Sequence, residues 1–398
     1  MNSAFEKAKP VLREIECAGY EAYFVGGSVR DAVLGREIND VDIATSATPE
    51  EIMTLFPKHV PIGLQHGTVM VLHEEDSYEI TTFRTEAGYE DFRRPSSVVF
   101  VRSLHEDLKR RDFTMNAIAM TREGRLLDPF NGEESIAKRE IKTVGDAYER
   151  FSEDALRMMR GIRFVSTLGF SLEERTKEAI MKHGELLQHI AIERIAVEFE
   201  KLLTGSYMQK AMRLLIDTGL HGFLPGFASY EKEMYRICNY ACTELNAKEE
   251  HWALLFYLMD VRDPGSTLRK WKLSNKEIKK IEKIVQGVYD IEENDWNIYS
   301  LYALGKEDAM SIERVRTILH NEPIRANITR IEKLHTSLPI TSSKELAING
   351  SDILAWIPKK GGPWVAELLH VIEREVVSGR LQNKQEKIRE WVNMWDQK

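Results

Sequence analysis

The sequence predicts an α+β fold: a small mixed β-sheet head followed by an elongated all-α neck, body and tail. Three observations carry this expectation. Short segments of strong β composition crowd into residues 20–83. From about residue 135 the pattern changes to long helical periodicities with almost no strand signature. Glycine and proline then punctuate the helical stretch at Gly205, Pro225-Gly226, Pro264-Gly265, Pro323 and Gly361-Gly362-Pro363.

In chain order, Phe5, Ala8, Leu12 and Ile15 fall on one side of a helix over residues 4–18. Strands are expected at Tyr20–Val25, Asp40–Ala44, Thr68–His73 and Tyr78–Phe83. A helix starts near Thr48-Pro49-Glu50-Glu51, where Thr48 can cap and Pro49 suits the first turn. The turn Asp128-Pro129-Phe130-Asn131-Gly132 closes the head, which spans residues 1–135. The remainder divides into a neck over 136–205, a body over 206–300 and a tail over 301–398. Trp252, Trp271, Trp356 and Trp391 are expected to pack between helices.

The 398 residues suffice for two to four compact units, and 43% hydrophobic with 30% charged residues excludes a disordered or fibrous chain. No apolar run approaches a membrane span, and the N-terminus lacks a signal-peptide core, so a cytoplasmic protein without a membrane partner is expected. Cys17, Cys238 and Cys242 show no zinc-type pairing and read as reduced thiols. The net charge of −8 neither requires nor excludes RNA, because backbone binding needs a basic stripe rather than a basic total. Residues 301–398 hold 15 Lys/Arg against 13 Asp/Glu, so the acidic excess lies upstream.

The run from Val25 to Thr45 places Gly26-Gly27 and Arg30 ahead of two carboxylates, Asp40 and Asp42. Alternate strand residues share a face, so the two carboxylates would project together and repel unless a cation sits between them. Mg²⁺ suits such a site, since it prefers oxygen ligands and brings phosphate oxygens with it. The glycine pair lets backbone N–H groups approach a phosphate, and Arg30 offers a fork of donors to the same group. Together these features describe a nucleoside triphosphate and metal site. Glu79 is either a third carboxylate near the metal or a solvated strand residue.

A second basic segment, Arg110-Arg111-Asp112-Phe113-Thr114-Met115-Asn116-Ala117, has two readings. It is either an exposed basic turn entering a buried helix or a second phosphate clamp, with Arg111 on the triphosphate and Asn116 ordering the loop. In the neck, Asp154, Arg157, Arg160 and Arg163 step by three along one helix, each about 60° further round. Such a row is ordinarily a solvated ion-pair ladder, and Arg163 would reach the site of Asp154 only through its length or a deviation of the helix. Against that stands a chemical fit. Cytosine and adenine each show an amino donor beside a ring-nitrogen acceptor, which a carboxylate and a guanidinium match. Uracil and guanine reverse that polarity and would leave buried groups unpaired, at about 1–3 kcal/mol each.

The run Val25–Thr45 resembles the head motif of the nucleotidyltransferase superfamily that includes DNA polymerase β, and most closely the class II tRNA nucleotidyltransferases. The string over 110–117 is similar to the second signature of that family, and Glu153-Asp154-x-x-Arg157-x-x-Arg160 to its base-recognition motif. Asp91-Phe92-Arg93-Arg94 fits a loop element associated there with the switch to AMP addition. Glu193–Leu203 extends the similarity to the end of the neck, while the C-terminal half matches only in helical character.

The resemblance implies addition of C, C and A to the 3′ end of tRNA from CTP and ATP, with the protein as template. It assigns Asp40 and Asp42 to Mg²⁺ and catalysis, and Gly27, Arg30 and Arg111 to the triphosphate. Asp154 and Arg157 would pair with the base, Glu153 would hold Arg157, and Arg160 and Arg163 would contact nucleotide or primer. It also implies a tRNA-binding tail and is compatible with a homodimer. Larger relatives carry a phosphohydrolase domain with His-Asp pairs; no His-Asp dipeptide occurs here, so that activity is not expected. The rival readings are a CC-adding or A-adding specialist and a poly(A) polymerase. More distant are a nucleotidyltransferase of small molecules and a non-enzymatic helical RNA binder.

Overall fold

The computed structural model describes residues 3–90 and 94–395. The chain divides into two compact units, Met1–Cys238 with Lys270–Lys272, and Asn239–Arg269 with Leu273–Lys398.

The first unit opens with helix α1 (Ser3–Cys17), which buries Phe5, Ala8, Val11, Leu12 and Ile15 along one face. Strand β1 (Ala22–Val25) leads into α2 (Gly27–Val33), β2 (Asp42–Thr45) and α3 (Pro49–Leu55). Thr48 caps α3 as expected, in a reciprocal box with Glu51 and with Pro49 in the first turn. Then come β3 (His59–Gly63), β4 (Thr68–His73), β5 (Asp76–Thr82), β6 (Arg84–Glu90) and β7 (Arg94–Phe100). Helix α4 (Leu104–Lys109) and the short strands β8 (Ala119–Met120) and β9 (Leu126–Leu127) complete the head.

Seven of these strands form one mixed sheet in the order β3-β4-β5-β2-β1-β8-β9. Strand β2 runs antiparallel to β1 and parallel to β5, with Asp42 opposite Val25 on one side and Glu79 on the other. The fold class is the α+β arrangement expected, but two local expectations need correction. Strand β2 begins at Asp42 rather than Asp40: beyond Val25 the chain turns at Gly26 into α2, so Asp40 has no strand partner on β1. The interval between the glycine pair and the carboxylates holds the helix α2 as well as a loop. The charged segment after Phe83 pairs as a separate two-stranded sheet of β6 and β7; Asp91 lies outside the described residues.

The neck also differs from a single helix. Helix α5 (Gly132–Ala137) is followed by α6 (Ala147–Glu153), which ends at Asp154 in extended backbone (φ −137°, ψ 99°) before α7 (Leu156–Leu168) begins. Asp154 therefore sits in the break and not on the helix face. Its Oδ1 accepts the Leu156 N–H at 3.1 Å, a local bond that competes with helix continuation. Helices α8 (Glu174–His183), α9 (Ile192–Leu203) and α10 (Met208–Asp217) follow, and α7 packs against α9 and α10. Trp271 closes this unit's core against Phe199 and Phe227, with its indole N–H on Pro225 O at 2.9 Å.

The second unit is helical. Lys248–Leu258, Asn275–Asn294 and Lys306–Leu319 pack on one another, and Gly287 lets Ile312 lie against its helix where a Cβ would stand 2.2 Å from Cδ1. Arg314 Nε donates to the fully buried Glu250 at 3.0 Å. Trp356 and Trp391 border an apolar core that includes Ile331, Ile353, Ile372 and Ile388. Among the described residues, no helix is long and apolar enough to cross a membrane.

Candidate active site

The sheet register brings Asp42 to the glycine turn. Gly26 has φ +74°, and a Cβ there would lie 3.3 Å from both Asp42 Oδ2 and Arg111 Nη1. Only glycine supplies this conformation at low cost while letting an acid and a base close over the backbone. Burial raises the Asp42 pKa above its ordinary value; Arg111 opposes the rise, and the like charges of Glu79 and Asp40 add to it. Asp40 and Glu79 are themselves exposed. Among the described residues no group of three or more His, Cys, Asp or Glu side chains is gathered for a metal ion. A divalent cation here would thus take one or two carboxylates and complete its shell with phosphate oxygens and water, as Mg²⁺ commonly does. The hard oxygen donors and the surplus of negative charge fit such an ion.

Arg111 is held from two sides. Its Nη2 donates to Asp107 Oδ2 at 3.2 Å and its Nη1 to Asn116 O at 3.3 Å, while its buried Nε makes no hydrogen bond. Asp107 is 1% exposed and also accepts from Arg110 at 2.8 Å. Burial opposes ionisation of Asp107, but Arg110 and Arg111 outweigh it and hold the carboxyl below its usual range. Arg30 donates to its neighbour Asp31 at 2.9 Å and to Asn116 Oδ1 at 2.8 Å. Asn116 in turn donates to Asp112 Oδ1 at 3.2 Å.

From Asp112 the network crosses to α7. Arg160 places Nε and Nη2 on Asp112 Oδ2 at 2.8 and 2.6 Å. Desolvation of the buried Asp112 would raise its pKa, yet Arg160, Asn116 and the Phe113 N–H hold it well below the usual carboxylate range. Arg160 and Arg163 both approach Glu198 of α9, at 3.7 and 2.7 Å. Arg157 is buried, with Glu153 Oε2 at 2.9 Å and the carbonyls of Arg150 and Arg110 each at 3.1 Å. This is not a solvated ladder, because Arg157 is buried and Arg160 and Arg163 take carboxylate partners from distant parts of the chain. Burial raises the Asp154 pKa, opposed by Arg157 and Arg194.

One cleft of about 1110 Å³ gathers these groups. Gly27, Arg30, Asp42 and Arg111 line it on the sheet side. Asp154, Arg157, Arg160 and Arg163 line it on the helical side. Arg163 joins because α7 starts after the break and its side chain is long. Asp40 remains exposed two residues ahead of β2. Sequence reasoning assigned no role to Asp112, Glu198, Arg194 or Phe164. The first stood inside the quoted 110–117 string and the next two inside Glu193–Leu203, and only an unpaired acid or base near each motif could have signalled them.

Models of known families fit three successive stretches of the chain. These are the Poly A polymerase head domain over residues 22–142, the probable RNA and SrmB-binding site of polymerase A over 169–231, and tRNA nucleotidyltransferase domain 2 (putative) over 243–392. Head, carboxylate corner and cleft define a nucleotidyltransferase. The chain is 53% identical over 388 residues to the CCA-adding enzyme of Bacillus cereus strain Q1, covering 98% of each. It is 52% identical to that of Bacillus cytotoxicus over the same length, again 98% of each. Among solved structures, the Bacillus stearothermophilus CCA-adding enzyme in complex with CTP matches with a TM-score of 0.95 at 46% identity, covering 100% of this chain and 98% of that one. The Thermotoga maritima CCA-adding enzyme complexed with tRNA matches in fold, with a TM-score of 0.65 at 18% identity over 97% of this chain and 94% of that one. The chain belongs to the family of CCA-adding enzymes.

Proposed function

We propose that the cleft of the first unit transfers CMP, CMP and then AMP from CTP and ATP to the 3′ end of tRNA, with pyrophosphate released and no nucleic-acid template. One observation carries the assignment of roles: a carboxylate corner with surplus negative charge shares a cleft with an Asp154/Arg157 pair anchored by neighbouring residues. Asp42 and Asp40 would hold a divalent cation, Mg²⁺ by donor chemistry, with Glu79 the neighbouring carboxylate on β5. The chemistry such an ion would supply there is polarisation of the α-phosphate toward the 3′-hydroxyl and neutralisation of the departing pyrophosphate.

The remaining work falls to the chain's own groups. Arg111, pinned by Asp107 and Asn116, presents its guanidinium beside the Gly26-Gly27 turn and so faces the triphosphate. Arg30 stands behind it with most donors already committed, which makes it a fixed positive charge. Asp154 uses Oδ1 on Leu156 N, so its second oxygen is placed to accept the amino group of cytosine or adenine. Arg157 supplies the donor for the ring nitrogen, its plane set by Glu153 and the Arg110 carbonyl. Rejection of uracil and guanine follows from the reversed polarity, at about 1–3 kcal/mol per unpaired group. Residues 301–398 grip the tRNA body; cytoplasmic location and a homodimer rest on family membership alone.

The test is incubation of tRNA lacking its terminal CCA with each triphosphate, followed by sizing on a denaturing gel. CTP alone should add two nucleotides, CTP with ATP three, and UTP or GTP none. An A-tail grown from ATP alone, or arrest at CC with both substrates present, contradicts the reading and favours a poly(A) polymerase or a specialist.

A further inference from the structure

Phe164 borders the cleft on α7 with 5% of its surface exposed. The guanidinium carbons of Arg163, Arg30 and Arg160 stand 3.8, 5.4 and 5.7 Å from its ring centroid. All three distances fall within the roughly 6 Å over which the negative face of an aromatic ring attracts a cation. These arginines come from two elements, α2 and α7, and their carboxylate partners lie apart. Asp31 takes Arg30, Asp112 takes Arg160, and Glu198 faces Arg160 and Arg163. The Phe164 ring is the group that all three arginines share.

The ring is itself fixed. Phe113, fully buried in the loop after Arg111, meets it at 5.8 Å with the planes at 87°. Phe113 can come this close because α7 carries Gly161 there: a Cβ at 161 would lie 3.2 Å from Phe113 Cζ. Three like charges repel, and full neutralisation by hydrogen-bonded carboxylates would consume the donors a ligand needs. An aromatic face opposes the repulsion without accepting a hydrogen bond along the guanidinium edge. Arg163 has both kinds of neighbour, its buried Nε lying 2.7 Å from Glu198 Oε2 and its guanidinium carbon 3.8 Å from the ring centroid. Burial lowers the Arg163 pKa, with Glu198 opposing and Arg160 reinforcing the shift, which fits cations crowded at one place.

We propose that Phe164 is a positioning residue for nucleotide binding, its ring gathering Arg30, Arg160 and Arg163 into one cationic cluster that faces the anionic and base-edge groups of CTP and ATP. The proposal rests on the reading of this cleft as the nucleotide site. It is tested in the full-length protein by placing phenylalanine with one, two or three ring fluorines at position 164. Fluorine weakens the ring quadrupole with little change of shape. The Kd for CTP and for ATP should rise with each fluorine, to about tenfold at three, while Tm stays within a degree or two. Phe164→Leu should weaken binding at least as much, and Phe164→Tyr should bind within about twofold of wild type, since it keeps the face. A flat Kd across the fluorine series, with wild-type protein binding normally, overturns the proposal alone. A Kd that follows loss of Tm rather than fluorine number assigns Phe164 to packing and also overturns it. Wild-type protein that binds neither triphosphate overturns the reading of the cleft, and this proposal with it.

Discussion

The sheet side and the helical side of the cleft carry charge in opposite ways. On the sheet side, Asp42 is surrounded by the like charges of Asp40 and Glu79, with Arg111 as the opposing cation, and its carboxyl is harder to ionise than usual. On the helical side, Arg157 has Glu153, Arg160 has Asp112, and Arg163 has Glu198. The first arrangement has more acid than base, and its charge is incompletely balanced; in the second, each of these bases faces an acid. Under the proposed function this difference amounts to a division of labour, with the sheet corner setting the rate of transfer and the helical wall setting which base is accepted.

The largest effect should come from the incomplete side. Asp42→Ala should lower the rate of both C and A addition on the order of 10³-fold, leaving tRNA affinity close to wild type because phosphate-backbone binding dominates it. Chelation of divalent ions should do the same, and single-turnover rates measured with and without added Mg²⁺ check both. Near-normal turnover of the variant would place the metal elsewhere.

Smaller and different in kind is the effect expected on the helical side. Asp154→Ala or Arg157→Ala should erode discrimination against UTP and GTP by about 10–100-fold, corresponding to one or two unpaired groups. The ratio of kcat/KM for CTP over UTP is the readout. An unchanged ratio would return the row to an ordinary structural ion network.

The link between the two sides predicts a pH signature. Asp112 is held below the usual carboxylate range in the folded protein, so its contribution to stability is complete above about pH 4 and is lost as pH falls toward the folded value. The stability gap between wild type and Asp112→Asn, measured by urea unfolding, should therefore narrow steadily below about pH 4. A gap independent of pH would mean that Arg160 does not depend on that charge. The mildest change is expected outside the cleft. Lys359→Ala with Lys360→Ala, both exposed in the tail, should weaken tRNA binding a few-fold and flatten its salt dependence by about one unit of slope for each phosphate no longer neutralised. The KM for CTP should not move.

Much of the head was legible because its signals are local. Strand β4 matches the expected Thr68–His73, and the Thr48 cap with Pro49 fixed α3. The break at Asp154 was not legible, because Phe151, Ala155, Met158 and Ile162 keep a helical apolar spacing straight across it. Glu86-Ala87-Gly88-Tyr89 carries no apolar alternation, so the bounds of β6 and β7 could not be read from it. The cleft residues announced themselves by type and spacing, whereas their partners did not. Asp112 lies 48 positions from Arg160 and Glu198 lies 35 from Arg163, and nothing in one sequence pairs an acid with a base at such range.

The most direct test of the division of labour is a single-turnover competition between CTP and UTP on tRNA lacking CCA, run side by side for Asp42→Asn and Arg157→Ala. The account predicts that Asp42→Asn slows both nucleotides alike and keeps their ratio. It predicts that Arg157→Ala shifts the ratio toward UTP more than it slows CTP. A ratio that moves in Asp42→Asn and stays fixed in Arg157→Ala would contradict it.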